Sequence, residues 1–151
     1  MENLQANLTL IQQRLAAASD GKYPVPKLIA VTKTHPAEDI LPLQNLGVTD
    51  IGENKVQEIM EKLPEADVVF VPIGGGGLIS GVACAIKSIN PNCKVYGVQA
   101  AGAPSMKQSI EHKKIEKLAS VSTMADGIAV KEPGTLTFEA CMKYVDGIVT
   151  V

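Results

Sequence analysis

The sequence predicts an α/β fold, a three-layer sandwich of the Rossmann or flavodoxin-like kind, with a parallel sheet of about five strands between helices. Three observations predict it. Short apolar, β-branched runs alternate with helical patterns along the whole chain. The runs are bounded by Gly, Pro and Asn, which end strands and open turns. The 151 residues are 46% hydrophobic but only 3% aromatic, so the interior must be built from aliphatic side chains. Strand–helix–strand units of this spacing connect parallel strands through right-handed crossovers. A half-barrel satisfies the same alternation and is the competing architecture. One domain is expected over 1–151.

The elements follow in order. Leu4, Leu8, Ile11 and Leu15 recur on one face, predicting a helix over 3–19 that ends at Asp20-Gly21. LIAVTK (28–33) reads as a short buried strand between Pro26 and Pro36. Residues 37–46 form a helix with Pro36 at its permissive start and Gly47 past its end. A weak strand lies at 48–51, and a helix over 54–63 presents Val56, Ile59, Met60 and Leu63. DVVFVPI (67–73) is a strong buried strand, followed by four glycines and a helix over 78–89. KVYGVQ (94–99) is a strand, 104–113 a helix opened by Pro104, and 114–134 irregular. Thr135 is a candidate cap for a helix over 136–145, and GIVTV (147–151) closes the chain as a strand.

Composition excludes several function classes. Net charge is −2 and no basic run exceeds Lys113-Lys114, so the footprint of a nucleic-acid binder is missing. No apolar stretch is long enough to span a bilayer. Cys84, Cys93 and Cys141 form no CxxC, which predicts reduced thiols in a cytoplasmic protein, with neither a disulfide framework nor a zinc site. His35 and His112 sit in a loop and in the charged stretch EHKK, where both are expected to be exposed.

The strongest chemical signal is strand, glycine run, helix: VVFVPIGGGGLISGVACAI. Backbone without side chains lets N–H groups converge on an anion. The following helix adds free N–H donors and the positive end of its dipole. Gly74, Gly75, Gly76, Gly77 and Leu78 are therefore candidates for holding a phosphate. Leu78-Ile79 stand where a Walker Lys-Ser/Thr would, and the consecutive glycines do not spell GxGxxG. A bare strand-to-helix turn is the bland reading of the same residues.

GGGGLISGVA, VYGVQAAGAPSM, STMADGIAVKEPGTLTFE and YVDGIVTV together resemble the threonine dehydratase (ammonia-lyase) family, over about 66–151. That family has the tryptophan-synthase-β-like fold and uses pyridoxal 5'-phosphate. The resemblance implies that Gly74–Gly77 hold the cofactor phosphate. It also places the family's Schiff-base lysine motif upstream, where residues 1–65 carry no match, and the partner of the pyridine nitrogen downstream. Related serine racemases bind a divalent metal through an acidic residue where this chain has Gln99, so no metal site is expected.

LIAVTKTHPAEDI and DIGENKVQEIMEKLP are instead similar to the pyridoxal-phosphate homeostasis protein family, an alanine-racemase-like barrel, over about 1–65. That resemblance implies that Lys33, at a strand end, forms the Schiff base, and that Asn54 of the GEN segment lies near the cofactor. Read together, the two resemblances imply an engineered chimera joined near Pro64–Asp67. Such a protein would retain a vestigial phosphate or pyridoxal-phosphate site, with little or no turnover. The alternatives are a pyridoxal-phosphate dependent lyase or racemase acting on small amino acids, and a ligand-free scaffold. Lys33 and the glycine run both follow strands, the edge of an open α/β sheet where ligands bind. A small phosphorylated molecule is the expected partner, and the sequence assigns no oligomeric state.

Overall fold

A computed structural model describes residues 2–19, 21, 23–62 and 66–151. Asp20, Leu63 and half of the expected junction at 64–67, its first two residues, lie outside the described residues, as do the side chains of Val56 and Met60. The backbone divides into two compact units, Met1–Lys62 and Leu63–Val151.

The first unit opens with α1 (Glu2–Ala18), which buries Leu8. β1 (Ala30–Val31) pairs in parallel with β2 (Ile51–Gly52), with Ala30 opposite Ile51 and Val31 opposite Gly52. The LIAVTK run was expected to be a buried strand, yet only two of its residues join a ladder, and Ile29 and Val31 are exposed. The ladder closes at Thr32 N–H to Gly52 O, 3.1 Å, and Thr34 then turns the chain with φ 68°. A 3-10 turn over Ala37–Asp39 leads into α2 (Ile40–Asn45), which buries Ile40. Gly47 ends α2 as the sequence predicts. At φ 83° it lets its own N–H reach Gln44 O (2.9 Å) and that of Val48 reach Leu43 O (3.1 Å), so two end carbonyls are satisfied. α3 (Val56–Lys62) completes the unit.

The second unit is a three-stranded parallel sheet, β3 (Val68–Pro72), β4 (Lys94–Gln99) and β5 (Gly147–Thr150), in the order β3-β4-β5. α4 (Gly77–Ile89) joins β3 to β4, and α5 (Ser105–Glu111) and α6 (Thr135–Tyr144) lie between β4 and β5. The α/β class and the parallel sense of all five strands agree with the sequence. Among the described residues, two strands pair in the first unit and three in the second. Two-residue strands offer too few ladder bonds to extend a sheet.

Burial alternates along β4. Val95, Gly97 and Gln99 are buried, and Tyr96 and Val98 are half-buried. The buried face carries the core of Val71, Ile73, Ile79, Val82, Ile86 and Val95. Gly97 permits this packing, since a Cβ there would lie 2.1 Å from Ile73 Cδ1 and 3.1 Å from Ile79 Cδ1. α4 is thereby held against β4, and each fully buried Ile contributes roughly 1.5–3 kcal/mol. On the other face Phe70 stacks on Tyr96 with centroids 5.8 Å apart, and Phe70 and Val149 are exposed.

The sheet's N-terminal edge is fastened by one carboxylate. Asp146 accepts from Lys87 Nζ (2.7 Å), Lys94 Nζ (3.2 Å) and Val95 N–H (2.8 Å), joining the end of α4 to the starts of β4 and β5. Burial opposes its ionisation, but these donors outweigh burial and hold its pKa at about 2.

Candidate functional site

The glycine run occupies the opposite end of β3 from Asp146, at the exit of the strand. Ile73 is still paired, its N–H 2.9 Å from Val98 O. Gly74 then passes close to the irregular segment, where a Cβ would meet Val130 Cγ2 at 3.1 Å and Ile128 Cα at 3.3 Å. Gly76 takes the left-handed conformation, φ 95° and ψ −5°, and caps α4 with no side-chain hydrogen bond. A Cβ at Gly76 would lie 2.5 Å from Met106 Cε and 2.8 Å from Thr137 Cβ, so both its backbone angle and its surroundings require glycine. Nothing lies within 4 Å of a Cβ at Gly75 or Gly77. A left-handed residue in such a turn makes consecutive N–H groups converge into an anion-binding concavity. Among the described residues the N–H groups of Gly75, Gly76 and Gly77 donate to no backbone carbonyl. The 13-residue helix behind them presents its positive end to the same turn.

Sequence reasoning missed what braces this turn. Gly75 O accepts the Thr137 hydroxyl and, at 3.2 Å, the Gly134 N–H. Gly76 O accepts Ser80 N–H at 3.0 Å and the Ser80 hydroxyl at 2.7 Å. Ser80 Oγ also lies 3.3 Å from Thr137 O and 3.8 Å from Cys141 Sγ. Burial pushes the Cys141 thiol above its ordinary pKa, as expected of a small core residue. Thr135 is the first residue of α6 rather than its cap, which is Gly134. Thr137 stands 62 residues from Gly75, and no local pattern announces their contact.

Gln99 is fully buried and both its polar atoms are engaged. Its Oε1 accepts Lys107 N–H at 2.8 Å, and its Nε2 donates to Ala103 O at 3.3 Å. It serves as a cap for α5 delivered from the neighbouring strand. Among the described residues no group of three or more His, Cys, Asp or Glu could hold a metal ion.

In the first unit, Lys33 is exposed two residues past the end of β1, and Asn54 is exposed between β2 and α3. The same unit holds a charge cluster that the sequence did not announce. Lys62 Nζ donates to Thr32 O (2.7 Å), Glu53 Oε1 (2.8 Å) and Glu58 Oε2 (3.0 Å). Burial disfavours the charged amine, but the two carboxylates outweigh it and raise the Lys62 pKa. The Thr34 N–H, 2.9 Å away, and then Lys62 hold Glu58 at about 2. The Glu53 side chain is 1% exposed, and its Oε2 has no hydrogen-bond partner among the described residues. His35 and His112 are exposed, as expected, each beside an acidic residue four positions on.

Comparison with known proteins decides the family. The family model for pyridoxal-phosphate dependent enzymes matches residues 14–151. The chain belongs to the pyridoxal-phosphate dependent enzyme family. Its cofactor class is therefore pyridoxal phosphate, and the open N–H groups of the glycine turn fit the phosphate of that cofactor. The chain is 58% identical over 94 residues to the L-threonine ammonia-lyase of Thermotoga maritima, covering 62% of this chain and 23% of that protein. It is 43% identical over 117 residues to the L-threonine ammonia-lyase of Geobacter sulfurreducens, covering 78% of this chain and 28% of that protein. Among solved structures it resembles the processed form of threonine deaminase isoform 2 from Solanum lycopersicum. That match has a TM-score of 0.62 and 32% identity, over 82% of this chain and 46% of that one.

These matches correct the expectation of a designed chimera with little or no turnover. The family model spans both sides of 64–67, and the Geobacter match is longer than the stretch 66–151. The alanine-racemase-like resemblance rested on LIAVTKTHPAEDI and DIGENKVQEIMEKLP, and the family model covers both stretches.

Proposed function

We propose that this chain is the phosphate-binding part of a pyridoxal-phosphate dependent lyase that releases ammonia from small hydroxy amino acids such as L-threonine and L-serine. The chain spans only 23% of the Thermotoga protein's length, so the activity belongs to the longer arrangement that protein represents. The observation that carries the reading is the uncapped glycine turn within a 58%-identical match. A match of 94 residues in a chain of 151 cannot miss that turn.

Bound pyridoxal phosphate supplies the electron sink that such elimination chemistry needs. The chain's own residues bind and orient. The N–H groups of Gly75, Gly76 and Gly77, with that of Leu78 in the first turn of α4, hold the phosphate. Gly74 lets β3 turn beneath it. A phosphate fixed at the sheet's C-terminal edge fixes the ring attached to it, which is the positional control that catalysis demands. The resemblance that gave Lys33 and Asn54 cofactor roles is withdrawn, and this reading assigns them none. A cytoplasmic setting is part of the same reading, supported by three free cysteines.

The test has two arms. Titration with pyridoxal phosphate is expected to give a visible absorption band. Gly75→Asp puts a negative charge into space that is sterically open, so it is expected to abolish saturable cofactor binding while the protein stays folded. Unchanged affinity in that variant would reduce the glycine run to a turn.

A further inference from the structure

Backbone donors bind an anion only if their peptide planes are held in the right orientation. We propose that Thr137 is a positioning residue for the cofactor phosphate, fixing the Gly75–Gly76 peptide so that the Gly76 N–H faces the anion. The inference rests on the phosphate reading of the glycine turn.

The argument begins with peptide geometry. In a trans peptide the carbonyl and the following N–H point to opposite sides. The Gly75 carbonyl is taken by the Thr137 hydroxyl and the Gly134 N–H, both from the start of α6. The Gly76 N–H of that same peptide is thereby turned away from α6, into the open side of the turn where no backbone acceptor meets it. The next peptide is set in the same manner. Gly76 O is taken by the Ser80 N–H and hydroxyl, which directs the Gly77 N–H out from the head of α4.

The Thr137 hydroxyl has one hydrogen, and Gly134 O competes for it at 2.9 Å. Gly75 O is the closer acceptor. Without the hydroxyl, the Gly75 carbonyl keeps only the 3.2 Å bond from Gly134 N–H, and the peptide is freer to rotate. The Thr137 Cβ also packs against Gly76, as the 2.8 Å approach to a Cβ built there shows. Valine preserves that contact and removes only the donor; serine preserves the donor and removes only the methyl.

The experiment uses the full chain and two probes, pyridoxal phosphate and unphosphorylated pyridoxal, with affinities measured in wild type, Thr137→Val and Thr137→Ser. Thr137→Val is expected to weaken pyridoxal phosphate about tenfold, the cost of one well-placed hydrogen bond, and to leave pyridoxal within about twofold. Thr137→Ser is expected to restore most of the loss. Equal weakening of both probes, or an unchanged pyridoxal phosphate affinity, would overturn the inference. Should Thr137→Val not fold, Ser80→Ala tests the neighbouring peptide with the same probes. A selective loss of the phosphorylated one is expected there, and an equal loss overturns the inference. If wild type binds both probes equally well, the phosphate reading itself fails. If Gly75→Asp abolishes the preference and Thr137→Val does not, only the role of Thr137 falls.

Discussion

The exits of β1 and β3 solve the same problem in opposite ways. Both strands end in a turn with a left-handed residue, Thr34 in one and Gly76 in the other. At β1 the chain's own side chains occupy the turn. Lys62 takes Thr32 O, Glu58 takes Thr34 N–H, and Glu53 completes a nearly dry ion cluster. At β3 the bracing bonds all go to carbonyls, and the N–H groups of Gly75, Gly76 and Gly77 stay open. A strand end closed by its own charges is structural, whereas one braced only from behind is free to bind an anion.

Lys62→Met should break the comparison most severely. It leaves two carboxylates together with no cation and an unmatched Thr32 carbonyl, and removing one partner of a buried ion cluster costs far more than the cluster contributes. Amide hydrogen exchange is expected to lose protection across the first unit while β3, β4 and β5 keep theirs. Retained protection at Ala30 and Thr32 would show that the cluster does not hold the β1 exit.

The next effect lies within the glycine run. Gly76→Ala meets Met106 and Thr137 and forces a side chain into φ 95°, so it should cost about 2–3 kcal/mol in denaturant unfolding. Gly75→Ala, into open space, should stay within about 0.5 kcal/mol. Equal costs at the two positions would mean that the turn's shape is not what demands glycine.

The smallest effect is on acid stability, and it compares Glu58 with Asp146. Both carboxylates are held at about 2 in the folded protein, below their unfolded values near about 4. Their contribution is therefore complete above about pH 5 and is lost as pH falls toward 2. Asp146→Asn should flatten the acid limb of the second unit's unfolding, and Glu58→Gln that of the first. An acid limb unchanged by either substitution would show that other carboxylates set it.

Much of the second unit was legible because its signals are local. The run 67–73, the four glycines and the 3.6-residue periodicity of 78–89 fall within two residues of β3, the turn and α4. The first unit was read less well. Its strands were expected at 28–33 and 48–51, and only Ala30–Val31 and Ile51–Gly52 pair. Apolar character alone does not specify a ladder when the run lies exposed, as Ile29 and Val31 do. No pattern in the sequence marks Lys62. It is buried because Glu53 and Thr32, 9 and 30 residues away, close around it.

The sequence by itself determined the α/β class and the strand, glycine turn and helix of the second unit, because helical period, β-branching and a glycine run are properties of neighbouring residues; the pyridoxal-phosphate family was legible only through the resemblance of its motifs. Only the tertiary structure decided which groups face that turn. It brought Thr137 onto Gly75 and Ser80 onto Gly76, it enclosed Lys62 between two glutamates, and it divided the strands between two sheets. Those pairings join residues distant in the chain through packing and hydrogen bonds that arise only when the backbone has closed, and no local pattern encodes them.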